Sequence, residues 1–91
     1  MIEKDFARDL GITKEGYETT NGSYVIELDN SNEFSKVYTL LDKNEDADLD
    51  IETLHMNEEL VEMTYLTEGF DVTLRANLKE NKYMVEIKEA M

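Results

Sequence analysis

The C-terminal third of this chain alternates. Phe70, Val72, Leu74, Ala76 and Leu78 occupy every second position, and after residues 79–82 the alternation resumes with Tyr83, Val85 and Ile87. Successive side chains of a strand point to opposite faces, whereas apolar residues of a helix recur every third or fourth position. The pattern therefore dictates two antiparallel strands, apolar on one face and polar on the other. A four-residue loop over 79–82 predicts Leu78 opposite Tyr83 and Leu74 opposite Ile87, with Arg75 across from Glu86 on the polar face. A sheet with one apolar face needs a cover, and the remaining residues must supply it.

The best cover is residues 30–41. Asn30 is an N-cap with Glu33 three residues on, and Phe34, Val37, Tyr38 and Leu41 follow at helical spacing. A shorter helix is read over residues 3–10 from Phe6, Ala7 and Leu10, closed by Gly11. Between the two helices, Asn21 and Gly22 form the turn of a hairpin whose Tyr24, Ile26 and Leu28 share one face; a two-residue turn pairs Thr19 with Tyr24 and Tyr17 with Ile26. Further on, Leu49, Ile51 and Thr53, then Val61, Met63 and Tyr65, read as two inward-facing strand sets joined through residues 57–59. The expected fold is α+β: an antiparallel sheet of about four to six strands, built chiefly from residues 48–88, with one main helix on one face and a short N-terminal helix. Ninety-one residues bury one core, so residues 1–91 are expected to form a single small acidic domain.

What the chain lacks narrows its chemistry. There is no Cys, which removes disulfides, thiolate metal sites and cysteine catalysis and favours a reducing, cytoplasmic setting. The first residues lack the basic and apolar regions of a signal peptide, and no apolar run approaches the ~20 residues that span a bilayer. No phosphate-binding glycine loop, metalloprotease motif or nucleophile elbow occurs. The single imidazole, His55, falls at an inward strand position, where a packed histidine is expected rather than a base. No enzyme activity and no cofactor are expected.

Charge is the positive lead. Twenty-two acidic against nine basic residues give −13, which opposes direct contact with nucleic acid or an anionic membrane and favours a basic protein partner. The charge is concentrated: residues 42–62 hold nine carboxylates and one lysine. On a continuous strand, Asp46, Asp48, Asp50 and Glu52 would form a row with ~6.6 Å spacing, matching about every second phosphate of a DNA strand at ~3.4 Å per nucleotide. Carboxylates accept the same charge-assisted hydrogen bonds from Arg and Lys as phosphates do. Asp46, Asp48, Asp50, Glu52, Glu58, Glu59 and Glu62 are therefore the expected partner-binding residues. In size, acidity and absence of Cys the chain resembles small phage-encoded inhibitors, among them DNA mimics, anti-restriction and anti-CRISPR proteins. The resemblance is one of composition, and it implies an inhibitor that occupies the basic groove of a nucleic-acid-binding protein.

Three plainer readings use the same residues. Acids on a strand near a sheet edge block edge-to-edge pairing and keep a protein soluble. Leu54, Leu60 and Leu66, placed by the proposed register on the outer face, would suit a homodimer or an adaptor interface. Residues 42–53 begin like an EF-hand, with oxygen ligands at positions 1, 3, 5, 7 and 9, but Ala47 stands where the turn glycine belongs and Thr53 where the bidentate Glu belongs, leaving at most weak divalent-cation binding and no dedicated metal site.

Overall fold

The computed structural model describes residues 2–90, so Met1 and Met91 lie outside the described residues. Its elements are α1 (Ile2–Asp9), β1 (Tyr17–Glu18), β2 (Tyr24–Leu28), α2 (Ser31–Lys43), β3 (Asp48–Leu49), a 3₁₀ turn (Ile51–Thr53), β4 (His55–Met56), β5 (Leu60–Leu66), β6 (Phe70–Asn77) and β7 (Lys82–Glu89). The fold is α+β, as the alternation implies. All strand pairs are antiparallel, in the order β1-β2-β7-β6-β5-β3, and β4 pairs with the same strand, β5, as β3 does. Seven strands thus fill six places across the sheet.

Local hydrogen bonds, from side chains at the start of α2 and from backbone at the end of α1, satisfy the helix end groups. Asn30 accepts a hydrogen bond from Glu33 N (3.0 Å), and the Glu33 carboxylate accepts one from Asp29 N (3.0 Å), so both bonds close the N-terminal end of α2. At the end of α1, Ile12 N donates to Ala7 O and Gly11 N to Arg8 O, while Gly11 takes φ +96°. This is a Schellman close, and the left-handed position selects glycine. Both helices lie on one face of the sheet. Phe6 of α1 stacks on Phe70 with ring centroids 4.3 Å apart, and Phe34 of α2 meets Tyr83 at 5.6 Å. Between them, Ile26, Leu41, Val72, Leu74, Val85 and Ile87 are fully buried.

Three registers differ from the sequence reading, each for a local reason. In the first hairpin Tyr17 faces Val25 and Glu18 faces Tyr24, one residue off the expected pairing. Gly22, at φ +83°, joins Thr20 and Asn21 in a three-residue loop closed by Gly22 N to Thr19 O and Thr19 N to Ser23 O. A one-residue slip reverses the face of a strand, so Tyr17 turns outward and is half-exposed, while Tyr24, Ile26 and Leu28 stay in the core. In the last hairpin Ala76, not Leu78, faces Tyr83, and Leu74 faces Val85. The loop is residues 78–81, with Asn81 at φ +55°. A slip of two leaves the faces unchanged but frees Leu78, which is 44% exposed. The third difference concerns the acidic segment.

Candidate functional site

Residues 48–53 do not form one strand. Only Asp48 and Leu49 pair with β5, opposite Leu66 and Tyr65; the chain then turns through residues 51–53 and resumes pairing with His55 opposite Glu62 and Met56 opposite Val61. The cause is Asp50. Its backbone N–H still donates to Thr64 O (2.8 Å), but its carboxylate accepts from Glu52 N (3.2 Å) and its carbonyl oxygen accepts from Thr53 N (3.1 Å) and from the Thr53 hydroxyl (2.9 Å). These local bonds compete with the sheet ladder and win. From Leu49 to His55 the chain advances six residues while β5 advances three, and the surplus is looped out. Ile51, expected inward, is carried into solvent at 76% exposure.

The regular row of carboxylates is therefore corrected to a broken one. Asp48 holds the only strand position of the four and faces away from the helices, since its partner Leu66 alternates with buried Tyr65. Asp46 lies in the loop after α2, where its N–H donates to the Asn44 side chain. Asp50 and Glu52 belong to the 3₁₀ turn, and Glu58 and Glu59 to the tight turn between β4 and β5, held by Asn57, whose side chain accepts from Glu59 N and Leu60 N (both 2.8 Å). These six acids share one edge of the molecule but not one line. The seventh, Glu62, sits on the open face of the sheet and accepts from Arg75 Nε at 2.7 Å; Arg75 Nη1 also approaches Glu86 at 3.9 Å. The remaining ion pairs among the described residues are Lys4–Glu15, Lys14–Asp29 and Lys82–Glu80. None involves an acid of residues 42–59.

The other sequence leads are dispersed. His55 points to the open face beside Glu62, correcting the inward expectation, with Nε2 3.3 Å from Asn57 Nδ2. Leu60 and Leu66 occupy that open face at opposite ends of β5, whereas Leu54 turns to the helix side, so the three leucines make no common patch. The EF-hand-like stretch runs from the end of α2 into β3 and the 3₁₀ turn rather than into a second helix, and Ala47 packs against the core. Among the described residues no three acidic or imidazole side chains converge as metal ligands, and no helix is long and apolar enough to cross a membrane.

One feature escaped the sequence reading. Where β3 and β4 flank β5, the helix side of the sheet is left without a lid, because α2 lies over the central strands and α1 over the Phe70 end. The result is an open, apolar groove of about 360 Å³, with Phe34 and Tyr38 of α2 on one side, Leu49, Leu54 and Met56 on the other, and Val61 and Met63 among its lining residues. Helical spacing places Tyr38 with the core positions of α2, yet Tyr38 is 38% exposed and Met56 64%. Their convergence depends on the broken edge strand.

Beneath the neighbouring stretch lies Tyr65, buried against Leu49 with a hydroxyl that has no hydrogen-bond partner. Burial, reinforced by Tyr38 and by the Asp42 carboxylate, pushes that hydroxyl up to about 12. Compared with known proteins, the chain matches no protein family, no curated protein and no solved structure.

Proposed function

We propose that this is a non-enzymatic acidic binding protein whose working surface is the edge carrying Asp46, Asp48, Asp50, Glu52, Glu58 and Glu59, with Glu62 adding to its field. Its partner is a basic protein surface, most concretely that of a nucleic-acid-binding protein. The carboxylates then take the place of phosphates, and the protein inhibits its target in the manner of an anti-restriction or anti-CRISPR protein acting in the cytoplasm.

One observation carries the reading. The eight acids of residues 42–59 lack cationic partners among the described residues, whereas three of the six between residues 60 and 89 have one, Glu62 and Glu86 sharing Arg75 and Glu80 meeting Lys82. Carboxylates kept together and unneutralised repel one another at some cost to folding, and a basic partner relieves that repulsion on binding. The broken geometry suits a curved basic groove better than a straight duplex track, because the charges come from three successive turns and the short strand β3 between the first two. Tagged protein mixed with host lysate is expected to retain a nucleic-acid-binding protein that elutes as salt rises and competes with DNA or RNA. Charge reversal of Asp48 and Asp50 together is expected to abolish that capture. Capture that ignores both salt and nucleic acid would defeat the reading.

A further inference from the structure

The groove beside α2 is apolar, yet it opens at the most acidic edge of the molecule. We infer that it is a docking site for a basic amphipathic helix of the partner protein, whose apolar side chains enter between Tyr38 and Met56 while its Lys and Arg residues meet the surrounding carboxylates. This deepens the functional reading above and rests on it, because it names the segment of the basic partner that the acidic edge receives.

Three features on one edge select this occupant. The first is the lining. Phe34, Tyr38, Leu49, Leu54, Met56 and Met63 converge from α2, the broken edge and β5, and Met56 is 64% exposed. A volume of about 360 Å³ is that of a small ligand pocket and takes a few aliphatic or aromatic side chains, and methionines adapt to such guests. The second is the broken edge. An extended peptide adding to the sheet needs a continuous ladder of free backbone groups, and residues 51–53 leave the ladder between β3 and β4. A helix satisfies its own backbone and needs only a groove. The third is charge. Asp42 follows Tyr38 by one helical turn, Asp50 follows Leu49, and Glu58 follows Met56 by two residues, so acids neighbour lining residues on both sides of the groove in the chain, while Asp48 adds its charge from the opposite face. A second copy of this protein would bring two such edges together and be repelled, whereas a cationic helix is attracted and steered.

The test uses the whole protein with methionine methyl groups labelled for NMR. It is titrated with a 14-residue amphipathic Leu/Lys helix, and separately with a Ser/Lys peptide of equal charge and no apolar face. The expected result is saturable movement of the Met56 and Met63 methyls with the Leu/Lys helix alone, at least tenfold tighter than the Ser/Lys peptide, while Met84 on the open face stays still. Replacing Leu54 and Met56 by Ser, both at exposed positions, is expected to remove about tenfold of that affinity without unfolding the protein. Equal binding of both peptides with the Met56 and Met63 methyls unmoved overturns the groove and leaves the acidic reading standing. Binding of neither peptide overturns the groove and counts against the acidic surface as well. Methyl shifts that follow the protein's own concentration overturn it in favour of self-association.

Discussion

Residues 60–89, strands β5, β6 and β7 with their turns, hold six carboxylates against four basic side chains, whereas residues 42–59 hold eight against one. The two regions lie side by side. The first is a regular meander of seven- and eight-residue strands whose alternate residues fill the core. The second runs along its edge in two-residue pieces divided by a 3₁₀ turn, with Ile51 and Met56 in solvent. The contrast separates two physical tasks. Stability grows with apolar area taken out of water, and the meander buries Val72, Leu74, Ala76, Val85 and Ile87 almost completely. The edge is shaped instead by local side-chain bonds, those of Asn44, Asp50 and Asn57, which set turns without burying much. A segment held that way can carry unneutralised charge, since little of the core depends on it.

The sharpest way to break this division is to delete volume in the meander. Leu74→Ala is expected to cost about 3 kcal/mol by urea denaturation, the transfer energy of the lost methyls plus the cavity left behind. An edge substitution of comparable cost would show that the edge is structural. Next comes the far side of the sheet, where Gly16 runs against β2. A Cβ there would stand 2.1 Å from Val25 O, and backbone cannot step aside. Gly16→Ala is expected to cost about 2–3 kcal/mol, with the near-ultraviolet signal of Tyr24 altered because its hydroxyl accepts from Gly16 N.

Tyr65 tests the seam between the two regions. In the unfolded chain a tyrosine ionises near pH 10, while burial holds the folded hydroxyl neutral to about 12. The unfolded state therefore loses its proton first. This contribution is fully present below pH 10, declines as pH rises to about 12 and then levels, a change of about 2–3 kcal/mol in a stability–pH scan. Tyr65→Phe is expected to remove that slope and, by deleting an unpartnered hydroxyl, to raise stability at neutral pH by about 1 kcal/mol. An unchanged slope would mean that the hydroxyl is solvated. The smallest effect belongs to the edge itself. Ile51→Ser, at a 76% exposed position, is expected to shift stability by less than about 0.5 kcal/mol.

Much of this was readable in advance where a pattern repeats. The N-cap at Asn30, the core positions Val37 and Leu41, the Gly11 close of α1 and the inward sets of β2, β5, β6 and β7 all follow from spacing. The misreadings share one source. Turn length in two hairpins and the interruption at Asp50 depend on which of several short hydrogen-bonding options each turn adopts, and the spacing of apolar residues does not distinguish among them. The Tyr17 and His55 assignments failed for that reason, because each belongs to a two-residue strand too short for its own alternation to fix its face.

The seven candidate acids were legible as a concentration of charge, but their arrangement was not. Composition and periodicity determined the α+β architecture, the single apolar face of the sheet and the location of the unbalanced charge, since each is a property of neighbours in sequence. Only the tertiary structure decided that Glu62 is held by Arg75, that Leu54 parts from Leu60 and Leu66, and that a groove opens beside α2. Those outcomes depend on how far α2 reaches across a six-place sheet and where its edge strand breaks, and both are settled by packing between residues distant in the chain.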